Sequence, residues 1–341
     1  MTHTKNEQGE VWTLAEIRDG NLHPVSYELL AWGRSLADAL SVPLASVVLG
    51  EDLTEASANS LFQRGADKVY VAADSELKHY LVDAYASVLE DMAGQYKPQI
   101  FIASATTQGR STMSYLYAKM ECGLTADCTG LSIKDGALIQ TRPAIGGNVM
   151  ADIMTPDHRP QMCTVRPKSK KPLPPDASRK GEVIRYSPKQ SALTSVLTYL
   201  GFEAESRTGL PIQDAEIIVA GGKGMKNAKN FELLDKLAGI LGGSVGASRS
   251  AVDLGWAPHS SQVGLSGKSV TPRLYIACGI SGAVQHLAGM SGAETVVAIN
   301  SDPEAPIFGG ADLGVVGSAL EILPRLIDNL KKLAKNREGS R

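Results

Sequence analysis

The sequence predicts an α/β protein of two domains: an N-terminal parallel-sheet domain with an antiparallel extension, and a C-terminal doubly wound domain. Short apolar runs alternate with amphipathic stretches through the first 120 residues, and the same alternation restarts near residue 215. Between these regions, closely spaced apolar runs are separated by turn residues. Alternating strands and helices favour a parallel sheet, because parallel strands need crossover connections. A chain of 341 residues with 43% hydrophobic residues is long enough for two cores.

The first predicted domain takes residues 1–204. Its alternating part has strands at 11–15, 44–49, 69–72 and 100–103, and helices at 27–40, 55–63, 81–92 and 112–120. The runs at 131–133, 138–142, 149–154 and 161–165 predict the antiparallel extension. Residues 167–175 (PKSKKPLPP) are too rich in proline and charge for a packed element, so they form a surface loop or linker, and a strand at 182–186 is expected to return to the first sheet.

The second predicted domain takes residues 205–335, and residues 336–341 form a tail. Its strands are expected at 215–220, 274–277, 295–299 and 313–316, with helices at 230–241, from residue 281 and from residue 319. In a doubly wound sheet, ligands bind in the crevice outside the carboxyl ends of the strands. The chain has 34 glycines, and only 5% of its residues are aromatic. This balance is common in nucleotide-binding α/β proteins, where backbone must approach a ligand closely.

Charge and hydropathy exclude several classes of function. The formal net charge of -2 offers no basic surface for nucleic acid. No apolar run reaches the roughly 20 residues that span a bilayer, so we expect no membrane insertion. The opening MTHTKNEQGE has neither the apolar core of a secretory signal nor the arginines of a transit peptide. We therefore expect a bacterial cytoplasmic location.

Cysteines and histidines predict no metal site. The four cysteines form no CxxC pair and no ferredoxin-type run, and they are expected to be small buried hydrophobic residues. No two histidines stand at metal-ligand spacing on one helix.

Two glycine-rich segments imitate familiar nucleotide motifs. In residues 222–227 (GKGMKN), the third glycine of a dinucleotide fingerprint would be Asn227, which argues against a standard NAD site. In residues 262–269 (QVGLSGKS), the first glycine of a P-loop would be Gln262, which argues against an NTPase.

The remaining signal is a set of glycine, hydroxyl and amide residues that follow the strands of the second domain. Residues 279–286 (GISGAVQH) come directly after a strand and open a helix, where backbone N–H groups suit a phosphate or an anionic ring edge. Ser248 and Arg249 follow Gly246, and residues 300–303 (NSDP) follow the next strand. Together they predict a cofactor cleft.

These segments carry a resemblance to a known family. Residues 245–249 (VGASR), 262–264 (QVG), 279–286 and 298–308 (AINSDPEAPIF) resemble, in order and spacing, the FAD domain of electron transfer flavoprotein α subunits. The first domain is similar to the family in residues 123–129 (GLTADCT) and 142–148 (RPAIGGN), so the resemblance covers nearly the whole chain.

The resemblance implies which residues bind one FAD. Carried over, the cofactor-binding residues are Lys223, Ser248, Arg249, Gln262, Val263, Gly264, Leu265, Ser266, Gly279, Ile280, Ser281, Gly282, Ala283, Val284, Gln285, His286 and Asn300. It also implies three residues that tune the flavin: Arg249 near the ring, Ser266 at N5 and His286 at the N1/O2 edge. A donor or cation at that edge would stabilise the negative charge of the reduced ring.

Three positions depart from the family pattern. The family usually has Arg where Lys223 stands and often Thr where Ser266 stands, which keeps the hydroxyl. It usually has Asp where Ser318 stands, so we leave Ser318 out of the predicted site.

The implied function is electron transfer as a heterodimer with a β subunit that holds AMP. Electrons would come from an acyl-CoA dehydrogenase or a similar flavoenzyme, as in fatty acid β-oxidation, and pass to a quinone oxidoreductase. An alternative is electron bifurcation with NADH, ferredoxin or flavodoxin and a second FAD in the β subunit, the one case in which the protein would act as an enzyme. Two other classes stay open: an adenine-nucleotide-binding regulatory module and a nicotinamide dehydrogenase.

Overall fold

The computed structural model describes residues 9–18, 20–144, 149–202 and 210–338, with side chains to residue 333. The chain divides into two compact units, here unit 1 (described residues up to 202) and unit 2 (described residues from 210). The predicted boundary between residues 204 and 205 lies outside the described residues, as do residues 145–148 of the RPAIGGN segment.

Unit 1 has 12 strands and five α-helices in its described residues. The strands are β1 (Val11–Leu14), β2 (Ile17–Arg18), β3 (Asn21–Leu22), β4 (Leu44–Gly50), β5 (Lys68–Ala73), β6 (Ile100–Ser104), β7 (Leu124–Cys128), β8 (Gly130–Lys134), β9 (Ala137–Pro143), β10 (Met150–Ile153), β11 (Gln161–Val165) and β12 (Glu182–Tyr186). The helices are α1 (Val25–Leu40), α2 (Glu55–Gln63), α3 (Val82–Tyr96), α4 (Thr107–Met120) and α5 (Gln190–Leu193).

The main sheet of unit 1 is parallel, in the order β12-β5-β4-β1-β6-β11-β7. Trp12 in β1 pairs with Ala45 on one side and Phe101 on the other, and all three are fully buried. The chain runs outward from β1 through β4 and β5, then returns to place β6 on the other side of β1. The switch point of this sheet therefore lies between β1 and β6.

The antiparallel extension is a separate three-stranded sheet in the order β10-β9-β8. One predicted member was wrong: the run at 161–165 is β11, which pairs in parallel with β6 and β7. All five of its residues are buried, as is typical of a strand covered on both faces. The strand at 182–186 does return to the main sheet, as β12 beside β5.

Helix starts in unit 1 follow local capping. Thr54 accepts a hydrogen bond from the Ser57 N–H and begins α2, as predicted. Thr106 accepts from the Gly109 N–H at 3.0 Å, so α4 begins five residues earlier than the sequence predicted. α1 ends where Ser41 takes a left-handed conformation, with φ of 56°.

Unit 2 contains β13 (Ile217–Gly221), β14 (Ser244–Ala247), β15 (Leu274–Cys278), β16 (Val296–Asn300) and β17 (Leu313–Val316). Its helices are α6 (Phe231–Leu241), α7 (Arg249–Asp253), α8 (Val284–Met290) and α9 (Ala319–Glu338), so α9 extends into the predicted tail. The sheet is parallel in the order β14-β13-β15-β16-β17, and its switch point lies between β13 and β15. The predicted two-domain α/β class is confirmed.

Two apolar clusters cover the two faces of this sheet. On one face Leu234 and Leu237 of α6 pack with Leu323 and Ile327 of α9. On the other, Tyr275 packs with residues that include Met290 and Ile307. None of the described helices is long and apolar enough to cross a bilayer.

Candidate functional site

A cavity of about 720 Å³ lies at the carboxyl edge of the unit 2 sheet. The loops that follow β13, β14, β15 and β16 contribute to it, so it includes the switch point between β13 and β15. Its volume falls within the range of cofactor pockets, about 300–1,000 Å³. The wall is formed by Lys223, Gly224, Ser248, Arg249, Ser250, Val263, Gly264, Ser266, Gly279, Ile280, Ser281, Ala283, Gln285, His286, Asn300, Asp302, Ala305 and Pro306.

Two glycine loops meet backbone to backbone at the switch point. The Gly224 N–H donates to the Gly279 carbonyl at 2.9 Å, and Gly279 has φ of +62°. A Cβ on Gly222 would lie 2.3 Å from the Gly279 oxygen, and one on Gly224 would lie 2.7 Å from the Gly279 Cα. No side chain fits between these loops, so the cavity presents main chain at this point.

The loop before α8 is held by its neighbours. Gly282 has φ of +89°, and the Ile307 N–H donates to the Ser281 carbonyl at 3.0 Å. The Asn300 side chain donates to the Ile280 carbonyl at 2.8 Å and accepts from the Asp302 N–H at 3.0 Å. The first turn of a helix leaves N–H groups without intrahelical partners, so this fixed loop offers donors to an anion.

Ser266 owes its position to Gln262, a buried side chain behind it. The Gln262 amide donates to the Ser266 Oγ at 3.0 Å, and Gln262 is only 3% exposed. Because this bond uses Ser266 as an acceptor, its hydroxyl hydrogen can be donated to another group. Ser266 therefore has the chemistry of a donor to a ring nitrogen in the cavity.

The charged groups of the wall lie on exposed segments, and Arg249 is the first residue of α7. Lys223 and Arg249 are exposed cations, and Asp302 is an exposed carboxylate. Arg249 also forms an ion pair with Asp253, with 3.5 Å between Nε and Oδ2, and about 71% of its side chain is exposed. Two cations beside backbone N–H groups suit a ligand that carries phosphate.

His286 is the buried polar side chain of the wall, 6% exposed. Its Nδ1 lies 3.0 Å from the Val263 carbonyl oxygen, and its Nε2 lies 3.0 Å from the Tyr275 hydroxyl. Burial lowers the pKa of His286 to about 4, although the bond with Val263 opposes that shift. The imidazole is therefore neutral at pH 7, and it acts on the cavity as a dipole rather than as a cation.

The structure brings most of the sequence-predicted site residues into this one wall. Four predicted residues are not in it: Gln262 lies behind Ser266, Gly282 packs against Ile307, and Leu265 and Val284 are 67% and 53% exposed beside the cavity. Sequence reasoning missed five wall residues, Gly224, Ser250, Asp302, Ala305 and Pro306. All five lie in or next to the glycine-rich and polar segments noted in the sequence. Taking those segments whole would have included them.

The part of the chain that the structure describes holds no cluster of histidine, cysteine and carboxylate side chains suited to a metal ion. All four cysteines are buried. Cys278, which ends β15 beside the cavity loop, is fully buried, and burial raises the pKa of its thiol to about 12. This thiol is inert as a nucleophile at neutral pH.

Comparison with known proteins gives consistent matches along the chain. The profile described as "Electron transfer flavoprotein domain" matches residues 11–191, and "Electron transfer flavoprotein FAD-binding domain" matches residues 211–291. Electron transfer flavoprotein subunit alpha of Thermoanaerobacterium thermosaccharolyticum is 44% identical over 329 residues, which cover 96% of this chain and 99% of the relative. The same subunit of Megasphaera elsdenii is 43% identical over 326 residues, 94% of this chain and 96% of the relative.

A relative under another name agrees with these two. Protein FixB of Clostridium saccharobutylicum is 45% identical over 327 residues, which cover 95% of this chain and 96% of the relative. A profile that matches more than half of the chain and relatives aligned over nearly their whole length confirm the resemblance seen in the sequence. The chain belongs to the electron transfer flavoprotein family and resembles its α subunits from end to end.

Proposed function

We propose that this chain binds one FAD in the cavity of unit 2 and transfers electrons as the α subunit of a heterodimer. The observation that carries the proposal is the open cavity at the switch point, because most of its wall lies within residues 211–291, which match the FAD-binding domain of the family. The residues present fit the cofactor. Main-chain donors and two cations suit a diphosphate, and the Ser266 hydroxyl suits the polar edge of a ring.

Each part of the wall then has a role in holding FAD. The turn at residues 281–285 and Asn300 would bind the pyrophosphate and adenosine portions, with Lys223 as a point charge. Arg249 and Ser266 would lie beside the flavin ring. His286 would face its N1/O2 edge as a neutral ring, because both of its nitrogens already have partners within the protein. The bound flavin supplies the redox chemistry, and these residues set its orientation and electrostatic environment.

The partners of this function follow from the family. A β subunit completes the heterodimer and holds AMP. Electrons come from an acyl-CoA dehydrogenase or a similar flavoenzyme of fatty acid β-oxidation and pass to a quinone oxidoreductase. In the bifurcating alternative, the β subunit holds a second FAD in place of AMP, and NADH with ferredoxin or flavodoxin takes part.

A regulatory module that senses adenine nucleotides in unit 1 has less support. At the switch point of the unit 1 sheet, the side chain of Glu16 is 1% exposed and accepts a hydrogen bond from Thr106, the residue that caps α4. Thr106 already donates its hydroxyl proton to this buried carboxyl group, so it has no hydroxyl proton left for a phosphate at this helix start.

The test is to purify the chain together with its β subunit, release the bound cofactors and count them. We expect one FAD per heterodimer with one AMP for the simple carrier, or two FAD without AMP for the bifurcating form. A colourless heterodimer that releases no flavin would refute the proposal. An Asn300→Ala and Ser281→Ala double variant should lose FAD, whereas the exposed Ser291→Ala control in the same unit should keep it.

A further inference from the structure

At the cavity wall, three residues form a buried chain of hydrogen bonds. The Tyr275 hydroxyl lies 3.0 Å from Nε2 of His286, and Nδ1 of His286 lies 3.0 Å from the Val263 carbonyl oxygen. Tyr275 is fully buried in β15, and Val263 and His286 are 1% and 6% exposed. His286 lines the cavity, whereas Tyr275 does not. The tyrosine can therefore act on the cavity only through the histidine.

The direction of each hydrogen bond follows from the chemistry of the groups. A carbonyl oxygen only accepts, so Nδ1 of His286 must carry the proton that it donates to Val263. A neutral imidazole has one N–H, which leaves Nε2 with a lone pair. The Tyr275 hydroxyl must then donate to Nε2. Burial keeps the tyrosine protonated as well, because it raises the pKa of Tyr275 well above its usual value.

We infer that Tyr275 is a positioning residue that holds His286 neutral, in the Nδ1–H tautomer and in one ring orientation against the cofactor cavity. Its effect on a cofactor rests on the proposed function, but its effect on His286 does not. A hydroxyl that donates to Nε2 can do so only while Nε2 is unprotonated, so the bond opposes protonation of the ring. The ring plane is fixed because both nitrogens are held, one by β15 and one by the loop at Val263.

Net charge and fixed dipole come from different residues of the cavity wall. The charged groups that line the same cavity are Lys223, Arg249 and Asp302, and all three are exposed. The packed residues behind His286 bring it a hydroxyl and a carbonyl. A permanent positive charge near the ring of a bound cofactor therefore comes from the exposed cations. His286 supplies a fixed dipole, and its ring becomes charged only if the Tyr275 bond is lost.

The first test reads the tautomer directly. The full-length chain, in complex with its partner subunit and labelled with ¹⁵N-histidine, would be studied by ring ¹⁵N NMR, with the His286 signals assigned by their absence in His286→Asn. We expect one protonated nitrogen, Nδ1, and a hydrogen-bonded Nε2 lone pair that does not titrate between pH 5.5 and pH 8. A wild-type spectrum with the proton on Nε2, or with both nitrogens protonated at pH 7, would overturn the inference.

The second test removes the hydroxyl and keeps the ring. In Tyr275→Phe we expect the Nε2 signal to move and the proton affinity of His286 to rise about fivefold to tenfold, the scale of one hydrogen bond. The control is Tyr85→Phe, which removes a buried hydroxyl that donates to the Leu77 carbonyl at 3.0 Å in unit 1. The control should leave the His286 signals in place. Unchanged His286 signals in Tyr275→Phe would overturn the inference.

The cofactor gives a separate readout. In the FAD-loaded complex, the reduction potential of Tyr275→Phe should become more positive between pH 8 and pH 5.5 more steeply than that of the wild type, because protonation of His286 then favours the reduced ring. An equal pH slope would refute the effect on the cofactor. If the complex holds no flavin and the NMR result stands, the proposed function fails while the role of Tyr275 toward His286 survives.

Discussion

The two units contain sheets of the same kind, yet their switch points differ. In unit 2, the edge between β13 and β15 opens into a cavity of about 720 Å³ walled by glycine backbone, hydroxyls and two cations. In unit 1, the edge between β1 and β6 is closed by Glu16, whose side chain is buried and bonded to Thr106. A cavity of about 590 Å³ in unit 1 lies instead near the amino ends of its strands, beside Pro43, Asp67 and Glu182.

The difference shows that strand order places a crevice but does not make it a site. In unit 2, the residues that follow β13 and β15 are glycines, so backbone fills the gap between loops and the ligand side stays open. In unit 1, the residue shortly after β1 is a carboxylic acid that takes up hydrogen bonds which a bound anion would otherwise use. The Glu16 N–H also donates to the Ser26 Oγ at 3.0 Å, which anchors this residue to α1.

The largest effect that would test this comparison is expected at the glycine contact in unit 2. Gly222→Ala places a Cβ 2.3 Å from the Gly279 oxygen and 2.7 Å from the Ile280 Cα, both backbone atoms, while the φ of Gly222 is an unstrained -112°. We expect a loss of about 3 kcal/mol in the stability of unit 2, because the loops must separate, together with loss of FAD. Urea unfolding and flavin content would measure both effects.

The matched control is Gly239→Ala in α6 of the same unit. A Cβ there meets nothing within 4 Å, so the substitution should stabilise the helix by up to about 1 kcal/mol and leave FAD bound. If the two variants were equally stable and equally yellow, the close approach of the two loops would not be what shapes the site.

A smaller effect is expected from the exposed cation of the wall. Arg249→Ala should lower the reduction potential of bound FAD, because a cation beside the ring favours the reduced, more negative state. With about 71% of the side chain exposed, solvent screening limits the effect to about 1 kcal/mol, or about 40 mV for one electron. Spectroelectrochemical titration of the heterodimer would measure it.

The control for that charge is Arg273→Ala. Arg273 also belongs to unit 2, is about 72% exposed and pairs with Glu216 at 3.7 Å, but it does not line the cavity. Its loss should leave the potential unchanged. Equal shifts in both variants would indicate a general charge effect and would contradict a local role for Arg249 at the cavity.

The sequence predicted the regular elements where apolar periodicity was strong. The strand β17 and the helix α2 have the predicted bounds, and most other predicted elements differ by a few residues. It missed β7 and β14, because Thr125 and Asp127 in one and Ser244 and Gly246 in the other break the apolar run. The direction of β11 depends on its two neighbours in the sheet, which local periodicity does not specify.

Most of the cavity wall was predictable because its residues follow the strands in short, distinctive runs. The sequence could not specify which side chains from distant parts of the chain hold the residues at each switch point in place. In the sequence, Tyr275 fits the apolar pattern of its strand. Its hydroxyl forms a hydrogen bond with His286 only because α8 folds back over β15. Glu16 likewise carries no motif, and its burial depends on Thr106, 90 residues away in the chain.

The smallest expected effect concerns the closed switch point of unit 1 and is the pH dependence of the stability of that unit. Burial raises the pKa of Glu16 above 4.5, although the bond from Thr106 and the charge of Arg18 oppose that shift. The folded state therefore binds this proton more tightly than the unfolded chain does. The contribution of the carboxyl to stability is fully present below pH 4.5 and is lost as the pH rises through the folded pKa.

Glutamine cannot titrate, so the stability of Glu16→Gln relative to the wild type should increase as the pH rises from 4.5 to 7. Urea unfolding followed by tryptophan fluorescence in a Trp256→Phe background would report on unit 1, where Trp12 and Trp32 lie. Glu51→Gln is the control, because Glu51 is about 57% exposed and pairs with Lys78 on the surface. A pH slope that is the same in Glu16→Gln, Glu51→Gln and the wild type would contradict a buried, proton-binding carboxyl at this edge. In that case the contrast between the two switch points would have to rest on the glycine loops of unit 2 alone.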